Sequence, residues 1–144
     1  MVLTADSDPA DRKVNGRVWL TITNSVTDPN IISRILGLES TRILEAGKPM
    51  PPLANGLHVR HTMAFNRWEM QVLPEETTDV HACLRTILNL LTTGARESLR
   101  ALSKEADVRV EVEITDQHTE LHVPPELISA LAECGGGFDL EISD

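Results

Sequence analysis

The sequence predicts an α+β fold: a single two-layer domain, its sheet antiparallel or mixed, with about three helices packed on one face. Three observations carry this. Arg17–Leu38 runs from a period-two segment straight into a short apolar helix. Val80, Cys83, Leu84, Ile87, Leu90 and Leu91 recur at helical spacing, the stripe of an amphipathic helix. Val108, Val110, Val112 and Ile114 alternate with Arg109, Glu111, Glu113 and Thr115, as a half-buried strand does.

Taken in order, the chain opens with a polar stretch, Met1–Gly16, which lacks the apolar centre of a signal peptide and is expected to be disordered. The folded domain is expected over residues 17–144. Arg17–Asn24 alternates and is rich in β-branched residues, so it predicts a strand. Asp28 then offers an N-cap, Pro29 a first helical residue and Gly37 a C-cap, with Ile31, Ile32 and Ile35 on one side of the helix. Ser40–Glu45 predicts a short strand or extended segment. Ala46–Leu57 carries Gly47, Pro49, Pro51, Pro52 and Gly56 and reads as a long loop.

His58–Leu73 predicts strand with a change of register near Asn66 and Arg67, as at a bulge or a tight turn. Thr78 or Asp79 caps the long helix. Thr92-Thr93-Gly94 weakens it, predicting either a kink or a second helix over Ala95–Ser103. After the Val108–Thr115 strand, Pro124-Pro125 starts a helix carrying Leu127, Ile128 and Leu131. Cys134-Gly135-Gly136-Gly137 stops it, and Phe138, Leu140 and Ile142 alternate with Asp139 and Glu141 in a terminal strand. The expected order is β-α-β-β-α-β-α-β.

An internal echo is visible. Arg17-Val18-Trp19-Leu20-Thr21-Ile22-Thr23-Asn24 matches Arg109-Val110-Glu111-Val112-Glu113-Ile114-Thr115-Asp116. Each is followed by a loop and a proline-opened helix, Pro29-Asn30-Ile31-Ile32-Ser33 in one case and Pro125-Glu126-Leu127-Ile128-Ser129 in the other. Two strand–loop–helix units of one design predict a pseudo-twofold repeat; coincidence between two commonplace units is the alternative.

At 144 residues and 41% apolar content, the chain is one domain able to bury a sizeable core. No run is long and apolar enough to span a membrane. Cys83 and Cys134 fall at helical positions far apart and read as reduced, packed thiols of a cytoplasmic protein, with a disulfide as the alternative. The formal net charge of −9 is unevenly placed, since residues 105–144 hold 11 acidic side chains and only Arg109 as a base. Nucleic-acid binding through that region is opposed electrostatically, whereas a basic protein partner is permitted. A monomer or a homodimer paired through a sheet edge is compatible with the pattern.

The order of pieces resembles the bacterial family known as domain of unknown function 4279. Asp28-Pro29-Asn30-Ile31-Ile32-Ser33-Arg34-Ile35-Leu36-Gly37-Leu38 is similar to its DP-x-x-I-S-x-x-LG helix. Ala46-Gly47-Lys48-Pro49 is like its short Gly–basic loop, and Arg67-Trp68-Glu69-Met70 like its tryptophan-bearing strand. A helix opened near proline and a final strand with aspartate, over Pro125–Asp139, complete the likeness. The match spans about residues 17–143; one departure is Ser40, where the family often has proline. The resemblance implies an α+β domain and brings no activity with it.

Candidate sites follow from residue chemistry. Arg42, Lys48, His58, Arg60, His61 and Arg67 surround the proline-rich loop. Arg42, Lys48 and Arg60 would engage carboxylate or phosphate, with Trp68 as a flat wall. Ordinary surface charge beside a core tryptophan is the bland alternative. Glu111 and Glu113 share one face of their strand, as do Asp139 and Glu141 of theirs, giving an acidic surface for a basic partner such as a toxin opposed by an immunity protein. If these strands were neighbours, like charges would face each other, and a basic partner, a cation or an intervening strand bearing Arg or Lys would relieve this; a solvated face with the two strands separated by another is the expected arrangement.

His118 and His122, with Glu120 between them, have a spacing that suits two ligands on a helix, but the segment reads as a loop without the further convergent ligands a zinc site needs, and no metal or cofactor is expected. His81 is expected to be partly exposed on its helix. Ser33 and Ser129 take first-turn helix positions, and neither they nor Cys83 has a catalytic partner nearby in sequence. Trp19 and Trp68 are both expected in the core. The chain thus points to a binding module or a small-ligand binder ahead of an enzyme.

Overall fold

A computed structural model describes residues 13–49, 64–73, 79–115 and 120–142 of the chain. Expectations for the leader before residue 13, for the loop beyond Pro49 with His58, Arg60 and His61, and for Thr78, Asp116 and His118 lie outside these residues. Nine elements follow in order: β1 (Gly16–Thr23), α1 (Pro29–Leu36), β2 (Arg42–Leu44), β3 (Arg67–Gln71), α2 (Val80–Leu90), α3 (Thr93–Leu102), β4 (Asp107–Ile114), α4 (Pro125–Glu133) and β5 (Gly137–Ile142). The five strands form one open mixed sheet in the order β2-β3-β1-β4-β5. All neighbours are antiparallel except β4 and β5, whose parallel pairing follows from the α4 crossover between them.

Strand parity separates two faces. Val18, Leu20 and Ile22 of β1, Trp68 and Met70 of β3, and Val108, Val110, Val112 and Ile114 of β4 are buried beneath the helices, with Leu84, Ile87, Leu99, Leu127 and Leu131 from above. The helices form one layer on this side. The α1 helix is framed as its sequence requires: the Asp28 carboxylate accepts the Asn30 N–H at 2.9 Å, and Gly37 ends the helix at φ 70°. Its buried stripe, however, is Pro29, Ile32 and Leu36, while Ile31 and Ile35 face solvent, so the three isoleucines do not share one side.

The long helical stretch is broken, giving four helices. Thr92 caps α3 by accepting the Ala95 N–H, and the Arg96 side chain donates to the Leu91 carbonyl at 2.8 Å, so both freed ends find partners. Asp79 is the N-cap of α2, and its carboxylate also accepts the Val14 N–H at 3.1 Å, tying the helix start to the lead-in of β1.

The internal echo is realised in the central strand pair. β1 and β4 are antiparallel with Trp19 opposite Glu111, and the matched residues Arg17 and Arg109 stand opposite Glu113 and Thr21. A local twofold through Trp19 and Glu111 therefore relates the two strands. It ends at the next strand, because β3 runs antiparallel to β1 while β5 runs parallel to β4.

Burial fades along β5. Phe138 is half-buried, but Leu140 and Ile142 are 49% and 64% exposed, so the apolar side of this strand is only partly covered by helices. Two further expectations are corrected. Trp19 lies on the uncovered face and is half-exposed, because it shares parity with Arg17 and Thr21. His81 is buried, and its Nε2 accepts the His122 N–H at 3.0 Å.

Candidate functional site: the uncovered face of the sheet

The residues of opposite parity form a charged surface over which none of the described helices lies. Arg42 comes from β2, Arg67, Glu69 and Gln71 from β3, Arg17 and Trp19 from β1, Glu111 and Glu113 from β4, and Asp139 and Glu141 from β5. They enclose a concavity of about 520 Å³ lined by Arg17, Trp19, Arg42, Arg67, Glu111 and Glu141 among others. A second hollow of about 260 Å³ lies between Trp19, Glu113, Asp139 and Glu141. Sheet geometry makes this surface: side chains two residues apart along a strand, or level on neighbouring strands, come within reach of one another.

The four acids expected to face a partner are brought together, and more closely than expected. β4 and β5 are neighbours, with Glu111 level with Asp139 and Glu113 level with Glu141, so no strand separates them. Arginines relieve the repulsion. Arg67 bridges Glu69 at 2.6 Å and Glu111 at 2.8 Å, Arg17 holds Glu113 at 2.8 Å, and Arg109 joins Asp107 at 2.9 Å to Asp139 at 2.8 Å. Burial works against the charge on Arg67, but its bonds to Glu69 and Glu111 outweigh this and hold the guanidinium above its ordinary pKa. Hydrogen bonding to Asp107, then the charges of Asp107 and Asp139, raise that of Arg109. Among the described residues no cation lies within ion-pair distance of Glu141.

The basic cluster is not assembled as the sequence predicts. Arg42 joins the concavity and, among the described residues, makes no ion pair. Lys48 is exposed in the turn after β2, 3.6 Å from Glu45, and does not line the concavity. Arg60 lies outside the described residues. Trp68 is fully buried on the opposite side of β3, its Nε1–H donating to Ser33 Oγ at 3.0 Å, so it offers no wall to a ligand at Arg42. The aromatic surface is instead Trp19, with the Arg17 guanidinium 5.5 Å from its ring centroid in cation–π range. Arg17, Trp19, Glu69 and Gln71 were not selected from the sequence, although the parity of Val18, Leu20 and Ile22 already assigns Arg17 and Trp19 to the other face.

Elsewhere, His122 is exposed and lies 3.5 Å from Glu120. Among the described residues no cluster of three or more His, Cys, Asp or Glu is placed to hold a metal ion. Cys83 and Cys134 are free and buried; desolvation pushes both thiols up, assisted at Cys83 by the charge of Asp79. The Ser33 hydroxyl is engaged by Trp68. Among the described residues no helix is long and apolar enough to cross a membrane. The uncovered face thus groups ion-paired carboxylates and arginines around one half-exposed indole.

Searches of curated proteins and of solved structures each return no match. A family model described as a domain of unknown function (DUF4279) matches residues 12–144, nearly the whole sequence, and the chain belongs to that family.

Proposed function

We propose that this domain is a non-catalytic binding module of the cytoplasm that engages a basic protein partner through the acidic end of its uncovered sheet face. The observation that supports this is the alignment of Glu111 with Asp139 and of Glu113 with Glu141 on adjacent strands. Such a stack of like charges is unfavourable on its own and gains from any further cation. Among the described residues arginines satisfy it incompletely, since Arg109 is shared by Asp107 and Asp139 and none reaches Glu141. An immunity-like role against a basic toxin is one form of this reading.

The test compares the natural chain with Glu113→Gln/Asp139→Asn/Glu141→Gln, each immobilised in a cell extract at low salt, with the retained proteins identified. Basic proteins held by the natural chain, lost by the triple variant and released by salt are the expected result. Retention of acidic proteins alone, or equal retention by both chains, removes the proposal.

A second reading is favoured by Arg42, which lines the concavity and makes no ion pair among the described residues. Here the face takes a small anionic ligand, with Arg42 as its anchor. A thermal-shift screen of anionic metabolites tests this, because a ligand at a hundredfold its Kd adds about 2.7 kcal/mol of stability. A stabilising anion whose effect vanishes in Arg42→Gln supports it, and the absence of any such anion refutes it.

A further inference from the structure

We infer that β5 is extended by a strand from the partner, an extended segment in which lysine or arginine alternates with apolar residues. This rests on the acidic-face reading and specifies the form in which the basic partner binds. β5 ends the five-stranded sheet, paired on one side only, with β4. Alternate backbone N–H and C=O groups on its other side point away from the sheet, as on any edge strand, and an added strand would engage them.

The side chains of β5 ask for a two-faced partner. Asp139 and Glu141 project from the uncovered face, and Leu140 and Ile142, 49% and 64% exposed, project from the helical side. A strand laid beside β5 at about 4.8 Å would set its own alternate residues level with these two rows. Cations on one parity would meet the carboxylates, and apolar side chains on the other would cover Leu140 and Ile142. The wider charge balance agrees: among the described residues, Glu69, Asp107, Glu111, Glu113, Asp139 and Glu141 share this face with four cations, of which Arg17, Arg67 and Arg109 make ion pairs and Arg42 stands at the far edge.

The same charges argue against a second copy of this chain as the occupant. Two β5 strands side by side would bring Asp139 and Glu141 of one against acids of the other, and like charges directly opposite destabilise a pair. The other sheet edge, β2, is only three residues long and presents the exposed cation Arg42, so it does not offer the same site.

The experiment uses the full chain and two synthetic peptides as long as β5. One alternates lysine and valine; the other has the same composition with the lysines in one block. Affinity is measured by fluorescence anisotropy, and backbone amide protection by hydrogen exchange. Tighter binding of the alternating peptide is expected, with new protection confined to Gly137–Ile142. Asp139→Asn and Glu141→Gln should each weaken it about twofold to fivefold, the size of an exposed ion pair. Ile142→Ser, which leaves the charge unchanged, should also weaken it. Equal binding of the two peptides, or protection away from β5, overturns strand addition while leaving the acidic-face reading intact. Concentration-dependent dimerisation that protects β5 also overturns it, making a second copy the occupant. If the triple carboxylate variant retains the same proteins as the natural chain, the acidic-face reading itself falls.

Discussion

The bond between Trp68 and Ser33 gives the sharpest test of how the sheet and α1 are joined. Trp68 is completely buried in β3, level with Ile43 on one side and Ile22 on the other, and its indole N–H donates to Ser33 Oγ at 3.0 Å. Ser33→Ala removes the acceptor and leaves a buried N–H unsatisfied, which costs about 1–3 kcal/mol. Trp68→Phe removes the donor together with one ring. It should cost less than the roughly 3–5 kcal/mol of truncation to alanine. Once the donor is gone the serine has nothing to satisfy, so Ser33→Ala added to Trp68→Phe should cost less than about 0.5 kcal/mol. Urea unfolding of the four proteins, followed by far-ultraviolet circular dichroism, supplies the cycle. Ser33→Ala alone should also lower Tm by about 2–4 °C per kcal/mol for a chain of this size. Additive costs, or a Ser33→Ala variant as stable as the parent, would refute the argument.

Further outcomes follow from the same structure. Arg67→Met leaves Glu69 and Glu111, whose side chains are 14% and 30% exposed, without their shared cation. It should cost about 1–3 kcal/mol in urea unfolding, between the values for exposed and buried pairs; an unchanged midpoint would show that the network contributes nothing. Gly16→Ala would place a Cβ 2.1 Å from the Glu113 carbonyl oxygen in the central ladder, where backbone must give way. A loss of about 3 kcal/mol or more is expected, and a thermal midpoint equal to the parent's would contradict it. Burial chiefly pushes the Cys83 and Cys134 thiols above their ordinary pKa, that of the unfolded chain, so the unfolded chain ionises first, at the lower pH. Stability should therefore be intact below that pH and fall as pH rises above it. Both cysteines should resist a thiol reagent until the chain is unfolded, and rapid labelling of the native protein would contradict their burial.

Local pattern made much of this architecture legible. The Asp28-Pro29 start and Gly37 stop of α1, the alternation of β4 and the proline-opened α4 each rest on interactions between residues close in sequence, and each appears where the residues place it. The break between α2 and α3 was half legible, because Thr92 can cap a helix only if the chain actually turns there. The neighbouring of β4 and β5 was not legible. It depends on which strand α4 carries the chain back to, and a stack of acids looks unfavourable until Arg17, Arg67 and Arg109 are known to reach across. Trp19 shows a different failure: its size argued for the core, while the parity of Val18, Leu20 and Ile22 had already excluded it. His81 failed the opposite way, since only the fold supplies the His122 N–H that makes its burial tolerable.

The one-sided attachment of β5 also bears on how the molecule opens. This strand reaches the sheet through the α4 crossover, and among the described strands β4 is its only neighbour. With Leu140 and Ile142 half in solvent, less apolar area secures it than secures β1 or β4. Its detachment is therefore a local unfolding of low free energy that leaves the four remaining strands and their helices assembled. In the isolated chain its amides should exchange with solvent well before those of the central pair, which open only with the whole domain.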